Sequence, residues 1–136
     1  MKINVCVADE SHAVYAQQIC DLVYVSAQER GTGIAKRTPE YIAQKMKVGK
    51  AVIALTEEGE LAGFAYVETW SHTLFVANSG LIVAHKFRKT GLAKRIKQEV
   101  FNLSRRKYPD AKIFSITTGA AVMKINSHMG FRPVPF

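Results

Sequence analysis

One segment, from Leu81 to Tyr108, limits the possible folds more than any other part of this chain. It begins with the apolar run Leu81–Val83, which predicts the end of a β-strand, and continues through a basic loop that contains Gly91. Thr90–Lys107 then carries large apolar residues at the spacing of one helix face, namely Leu92, Ile96, Val100 and Leu103. A strand followed by a short loop and a long amphipathic helix predicts a domain in which helices pack on a sheet.

Apolar periodicity and turn residues predict the remaining elements. Strands are predicted at Lys2–Ala8, Ala51–Thr56, Leu61–Trp70, Thr73–Val83 (with a break near Asn78–Gly80), Lys112–Thr117 and Phe131–Phe136. Helices are predicted at Ser11–Gln28, from Thr38 to Gly49, at Thr90–Lys107 and at Ala120–Met129. The predicted order is β-α-α-β-β-β-α-β-α-β, a mixed α/β fold. Because the 136 residues contain no linker-like stretch, we expect a single domain over residues 1–136.

The positive charge of the chain is concentrated in that same segment. The formal net charge is +8. Residues 81–108 contain nine basic side chains and one acid, Glu99, which also sums to +8, so the rest of the chain is neutral overall. Several of these cations, including Lys86, Arg88 and Lys89, crowd the start of the helix, where the helix macrodipole disfavours positive charge. Their placement predicts an anionic partner at the loop.

Composition narrows the class of protein further. Apolar residues make up 48% and charged residues 22%, which is typical of globular domains and argues against disorder. No apolar run approaches the roughly 20 residues of a membrane span, so no membrane partner is expected. The first ten residues become acidic too early for a secretory signal. The two cysteines, Cys6 and Cys20, lack metal-ligand spacing, so we expect a cytoplasmic protein without a metal site.

The basic loop has the pattern R-x-x-G-x-A, formed by Arg88, Gly91 and Ala93. Small residues at these positions leave backbone N–H groups accessible at the positive end of a helix, which is where a pyrophosphate binds. The pattern is neither the G-x-x-x-x-G-K-[ST] nucleotide loop nor the G-x-G-x-x-G dinucleotide loop. By itself, so short a pattern is weak evidence for a pyrophosphate site. The strand before it and the long helix after it strengthen that interpretation.

In that context the chain resembles the GNAT superfamily of acetyltransferases. The resemblance rests on the run V-x-x-x-x-R-x-x-G-x-A from Val83 to Ala93, the long helix, the following strand, a short helix and a closing Gly-Phe at positions 130–131. It covers about Ala51–Phe131, whereas the first 50 residues agree only in element order. It implies a mixed, mostly antiparallel central sheet flanked by helices, with acetyl-CoA as co-substrate. Family members usually have proline where this chain has His85.

The resemblance also implies which residues bind the cofactor. In this family the end of the strand pairs with the pantetheine arm, which implies Leu81, Ile82 and Val83, and the N–H of Val83 would polarise the thioester carbonyl. The loop amides bind the pyrophosphate, which implies Arg88, Lys89, Thr90, Gly91, Leu92, Ala93 and Lys94. The implied reaction is a direct attack of a primary amine on the thioester while both substrates are bound.

The last predicted helix departs from the family pattern. Many members have a tyrosine four residues before the Gly-Phe glycine, and its hydroxyl protonates the departing thiolate. This chain has Asn126 there, as in the I-N-x-x-x-G-F variant that some relatives carry and that Ile125–Phe131 matches. An amide donates a hydrogen bond to sulfur but gives up no proton. We therefore expect Asn126 to contact the cofactor thiol, and the proton to come from solvent or from the incoming ammonium rather than from His128.

Few side chains are candidates for the base that deprotonates the amine. Glu68 lies on the strand alternation of Phe64, Tyr66 and Trp70, and a carboxylate among aromatic rings is expected to have a raised pKa. Glu68 could equally be an exposed acid at a strand end. His72 and His85 are weaker candidates, and a water held by a backbone carbonyl could replace all of them.

Recognition of the acceptor is expected from Glu29–Arg37, which in this family overhangs the acceptor pocket. Arg30, Lys36 and Arg37 could bind a carboxylate, which favours a small, amino-acid-like amine, or they could face water. Asn78 and Ser79 are polar residues in an apolar run, and they could line the acceptor site or satisfy a bulge.

Three functions stay open at this point. The first is an acetyl-CoA-dependent N-acetyltransferase. The second is a CoA-binding module with little catalysis, which the absence of a tyrosine at Asn126 favours. The third is a basic nucleic-acid-binding domain, although the basic helix has few aromatic residues for stacking on bases, so nucleic acid is not the expected partner.

Relatives usually continue with two strands after the Gly-Phe, and an edge left open there would allow a homodimer.

Overall fold

The computed structural model describes residues 2–30, 38–70 and 75–115. Five strands lie in this part of the chain: β1 (Ile3–Val7), β2 (Ala51–Thr56), β3 (Leu61–Trp70), β4 (Phe75–Val83) and β5 (Lys112–Ser115). Three α-helices accompany them: α1 (Ala16–Arg30), which a 3-10 segment at Glu10–Tyr15 precedes, α2 (Pro39–Lys47) and α3 (Leu92–Lys107). The predicted element order is confirmed up to β5, and the predicted last helix and last strand lie outside the described residues.

The strands form one sheet in the order β1-β2-β3-β4-β5. The first three pairings are antiparallel, and β4 pairs with β5 in parallel through α3. The expected mixed, mostly antiparallel sheet is thus confirmed. The register between β4 and β5 runs from the pair Phe75–Lys112 to the pair Asn78–Ser115.

Helices cover both faces of the sheet. Alternate residues of β2 belong to different cores: Val52 and Ala54 pack with α3, whereas Ala51 and Ile53 pack with α1 and α2. Side chains of neighbouring strand residues point to opposite faces, so the described part of the chain has three layers, helix, sheet and helix. We call the two surfaces of the sheet the α3 face and the α1/α2 face.

The helix starts follow local sequence rules. The hydroxyl of Thr38 accepts a hydrogen bond from the N–H of Tyr41, and Pro39 occupies the first turn of α2, as predicted. Helix α3 begins at Leu92, two residues later than predicted, because Gly91 precedes it with a left-handed backbone (φ +81°).

A β-bulge interrupts β4 where the sequence predicted a break. Phe64 on β3 faces Ile82, but Tyr66 faces Ser79, so Ala65 lies opposite two residues, Gly80 and Leu81. The extra residue moves the following side chains of β4 to the other face of the sheet. Val76 and Val83 therefore share the α3 face although they are seven positions apart.

Candidate functional site

Among the described residues, no strand other than β3 pairs with Leu81–Val83 at the end of β4, and we call the other edge of this stretch the open edge of β4. The described pairing with β5 ends at Asn78, whereas β4 continues to Val83. The N–H of Ala84 donates to the carbonyl of Ala62 on β3 (2.9 Å). Because successive N–H groups point to opposite edges of a strand, the N–H of Val83 points away from β3. Within the described residues, no strand pairs with that edge of β4 at Leu81–Val83.

The loop after β4 leads into the helix through two left-handed residues. A short 3-10 turn at His85–Phe87 buries the side chain of Phe87, and the loop residues from Arg88 to Gly91 are exposed. Lys89 (φ +65°) and Gly91 (φ +81°) both have positive φ angles. The hydroxyl of Thr90 donates to the carbonyl of Phe87 at 2.6 Å, which fixes the turn.

The first turn of α3 presents backbone donors. Its opening hydrogen bond is the one from the N–H of Arg95 to the carbonyl of Gly91 (3.2 Å), and no side chain caps the helix at Gly91. The N–H groups of Leu92, Ala93 and Lys94 precede this bond, so the helix itself supplies them with no acceptor. A carbon placed at the Cβ position of Gly91 would meet no described atom within 4 Å. The loop therefore has room for an anion at the positive end of the helix.

Several of the predicted cations already have protein partners. Lys86 forms an ion pair with Glu60 (2.7 Å), and the Nε of Arg88 donates to the carbonyl of Val83 (3.3 Å). Arg95 donates to the carbonyl of Ile3 on β1 (2.7 Å). Hydrogen bonds to carbonyls leave the guanidinium charges in place, so the potential around the loop stays positive.

Glu68, the predicted base, lies on the α1/α2 side and forms an ion pair with Lys45 of α2 (3.2 Å). The Nζ of Lys45 also donates to the carbonyl of Val67 (2.8 Å) and lies 5.5 and 5.8 Å from the ring centres of Tyr41 and Tyr66. Burial, and secondarily the charge of Lys50, lowers the pKa of Lys45. The expected aromatic setting of Glu68 thus contains an ammonium as well, and a neighbouring cation favours the charged carboxylate.

The distance between Glu68 and the open edge is large. Glu68 lies opposite Ala77 on β4, four positions before Leu81 and six before Val83. At about 3.3 Å per residue this is about 13 to 20 Å along the strand. If a carbonyl is held at Val83, Glu68 lies too far away to take a proton directly from an amine that attacks it.

Other predicted site residues lie outside the described residues. These are Asn126 and His128 of the last predicted helix, His72, and Lys36 and Arg37 of the acceptor segment, while the side chain of Arg30 is not described. His85 is exposed and lies 3.5 Å from a guanidinium nitrogen of Arg88.

The sequence did not indicate the burial of two lysines, Lys45, which is partly buried, and Lys97, which is buried. Lys45 is 13% exposed, and Lys97 of α3 is 2% exposed, with a pKa that burial lowers to about 8. Helical spacing could have indicated the burial of Lys97, because this lysine follows the core residue Ile96 and precedes the core residue Val100 by three positions. Nothing in the sequence pairs Lys45 with Glu68, since their contact depends on how α2 packs on the sheet.

Among the described helices, none is both long and apolar enough to cross a membrane. Within residues 2–30, 38–70 and 75–115, no cluster of three or more histidine, cysteine or acidic side chains could hold a metal ion.

Comparison of sequences gives no relative, since no protein-family model and no curated protein matches the chain. Solved structures do match it. An acetyltransferase of the GNAT family from Staphylococcus aureus has a TM-score of 0.77 at 15% identity, with 98% of this chain and 87% of that chain covered. Diaminobutyrate acetyltransferase from Paenibacillus lautus, solved with its substrate and coenzyme A, has a TM-score of 0.69 at 14% identity, with 95% and 74% covered.

N-acetylglutamate synthase from Neisseria gonorrhoeae, solved with coenzyme A and N-acetyl-glutamate, has a TM-score of 0.72 at 17% identity. That match covers 93% of this chain, which spans only 28% of the synthase chain. Identities this low establish the fold and leave activity open. The five-stranded sheet, the bulge in β4 and these structural matches together show that the chain has the fold of the GNAT acetyltransferases.

Proposed function

We propose that this protein is an acetyl-CoA-dependent N-acetyltransferase that acts on a primary amine of a small acceptor. The observation that carries the proposal is the combination of the open edge of β4 with the uncapped, positively charged start of α3. The two features are contiguous in the chain, and they suit the two parts of coenzyme A, an extended amide-bearing arm and a diphosphate. The structural neighbours that were solved with coenzyme A support the same assignment.

In this proposal the diphosphate lies against the N–H groups from Gly91 to Lys94. These groups point along the helix axis, and the space at Gly91 is open. Lys89 and Lys94 add positive charge in the same turn. The loop run from Arg88 to Lys94 then acts mainly through its backbone, because Arg88 is hydrogen-bonded to the carbonyl of Val83.

The pantetheine arm would add to the sheet at Leu81, Ile82 and Val83, as a strand adds to an open edge. The bulge moves the side chains of this stretch to the other face of the sheet, and the described pairing with β5 lies before it. Acetyl-CoA supplies an activated acetyl thioester. The N–H of Val83 would donate to its carbonyl oxygen and stabilise the negative charge that develops there when the amine attacks.

Proton transfer needs no protein base close to Val83 in this proposal. Glu68 is too far for direct transfer, so water at the site would take up the ammonium proton. Asn126 stays a proposed thiol contact, because it can donate a hydrogen bond to sulfur but not a proton.

Two measurements test the proposal. Isothermal titration calorimetry with acetyl-CoA and with CoA tests the cofactor site, and a thiol-release assay with a panel of primary amines tests the transfer. We expect binding of both and amine-dependent thiol release. Binding without release from any amine would leave a CoA-binding module, and binding of an oligonucleotide with no CoA binding would support the nucleic-acid alternative.

A further inference from the structure

Both backbone polar groups of Val83 face the open edge of β4. Val83 lies opposite Gly63 on β3, whereas the next N–H, that of Ala84, donates to the carbonyl of Ala62. In an antiparallel pair the N–H and the carbonyl of one residue point to the same edge, and those of the next residue point to the opposite edge. Because the N–H of Ala84 points toward β3, the N–H and the carbonyl of Val83 both point away from it.

The side chain of Arg88 binds one of these two groups. Its Nε donates to the carbonyl of Val83 at 3.3 Å, although Arg88 belongs to the exposed loop five positions later. Another nitrogen of the guanidinium lies 3.5 Å from Nδ1 of His85, so the head group lies beside the end of the strand. A guanidinium has only donors and a permanent positive charge. At Val83 the open edge therefore presents a backbone N–H and a carbonyl that already accepts from a cation.

This arrangement discriminates between the two kinds of cofactor group that could lie opposite Val83. An amide of the pantetheine arm carries an N–H as well as a carbonyl, and it would bring its N–H against the guanidinium, donor against donor. A thioester has a carbonyl and no N–H. Its oxygen is attracted both by the N–H of Val83 and by the positive charge. The edge at Val83 thus suits the thioester better than an amide.

We propose that Arg88 is a positioning residue that sets the register of acetyl-CoA along β4. By binding the carbonyl of Val83, the guanidinium keeps the amides of the pantetheine arm away from this residue and leaves its N–H to the thioester. Without the guanidinium, the arm can slip so that an amide pairs with Val83, and the cofactor binds with its thioester displaced. This inference rests on the proposed acetyl transfer and adds a role for the side chain of Arg88.

The binding test uses two ligands that differ only in the thioester carbonyl, acetyl-CoA and S-ethyl-CoA. We expect wild-type protein to bind acetyl-CoA about fivefold more tightly in titration calorimetry, which is the effect of one hydrogen bond. In NMR spectra only acetyl-CoA should move the amide proton of Val83 downfield. Arg88→Met removes the charge and the donors but keeps an unbranched side chain, and it should abolish both differences. Arg88→Lys retains a cationic donor and should restore part of them.

The kinetic test separates register from affinity. With an amine that wild-type protein acetylates, Arg88→Met should lower kcat about tenfold, because the thioester is misplaced. The KM for acetyl-CoA should change by no more than about threefold, since the lost charge is exposed and screened. Arg105→Met is the matched control. Arg105 also donates to backbone carbonyls, those of Pro109 and Ala111, but at the far end of α3, so its loss should change neither kcat nor the ligand preference.

Three results would count against these ideas in different ways. The same ligand preference and the same Val83 shift in Arg88→Met as in wild type, at an unchanged melting temperature, would overturn the inference. Equal weakening of both ligands with kcat unchanged would also overturn it, because Arg88 would then act only as a charge near the diphosphate. A wild-type protein that releases thiol with no amine would overturn the proposed function alone, since the ligand comparison measures binding only.

Discussion

The two ends of the β3–β4 hairpin are built in opposite ways. At the end where β4 leads into the Gly91 loop (the loop end), no described strand pairs with the free edge of β4, and α3 starts with uncapped N–H groups beside exposed lysines. At the other end, Lys45 and Glu68 form a partly buried ion pair, and the Nζ of Lys45 lies near two tyrosine rings. At the second end, polar side chains bind each other. At the first end, the backbone N–H groups at the start of α3 have no side-chain cap.

This difference assigns separate roles to the two ends. An open set of backbone donors costs little in stability, since water satisfies it until a ligand arrives. The ion pair between Lys45 and Glu68, with the hydrogen bond from Lys45 to Val67, instead ties α2 to the sheet. We therefore place cofactor binding at the loop end and expect mainly structural effects at the Lys45–Glu68 end.

The strongest test of the comparison changes the loop end. Gly91→Asp adds a negative charge and a side chain where the diphosphate is proposed to lie, and we expect CoA binding to weaken by at least about 100-fold in titration calorimetry. Gly91→Ala is the matched control. It strains the left-handed backbone by about 1 kcal/mol but adds no charge, so it should bind far better than the aspartate variant. Equal affinity of wild type and Gly91→Asp would refute the assignment of the loop.

Helix α3 contains an exposed lysine, Lys94, and a buried lysine, Lys97, less than one turn later. Burial lowers the pKa of Lys97 from 10.5 to about 8, so between these values the unfolded chain binds more protons than the folded one. Stability should therefore rise with pH in this window, by about 2 kcal/mol from pH 7.5 to 9.5. Urea unfolding of wild type and Lys97→Met across this range measures it. Parallel pH profiles of the two proteins would contradict the prediction.

The Lys45–Glu68 pair should affect stability more than cofactor binding. We expect a coupling free energy of about 1 kcal/mol from a double-mutant cycle of Lys45→Met and Glu68→Gln, measured by urea unfolding. Affinity for acetyl-CoA should not change. A loss of CoA affinity in either variant, with stability intact, would show that this end belongs to the cofactor site.

The smallest effect is expected from the exposed loop cations. Lys89→Ala and Lys94→Ala should each weaken CoA binding about two- to fivefold at low salt, and less at 0.5 M salt because exposed charges are screened. Lys107→Ala, at the far end of α3, is the control and should leave binding unchanged. A salt-independent loss in the loop variants would point to a direct packing role instead of an electrostatic one.

Much of the fold was predictable because it depends on local rules. The apolar spacing of α3, the cap formed by Thr38 and Pro39, and the irregular run after Asn78 each indicate structure within a few residues. The start of α3 was predicted two residues early, since Thr90 looks like a helix cap whereas its hydroxyl bonds to the carbonyl of Phe87.

Contacts between distant elements were not predictable in the same way. Lys45 meets Glu68 only because α2 packs against the end of β3, and Ser104 meets Asn78 only because α3 crosses β4. The prediction of Glu68 as base rests on strand alternation alone, which indicates neither its ion pair with Lys45 nor its distance from Val83. The prediction of an anion site at the loop needs no tertiary contacts, because it rests on a glycine, a helix start and local charge.

The most direct test of the central claim is an amide NMR titration of the protein with CoA. We predict that the largest chemical-shift changes fall on the N–H groups of Val83 and of Gly91–Lys94, with only small changes at Lys45 and Glu68. Largest changes at the Lys45–Glu68 end, or none anywhere at millimolar CoA, would contradict the account.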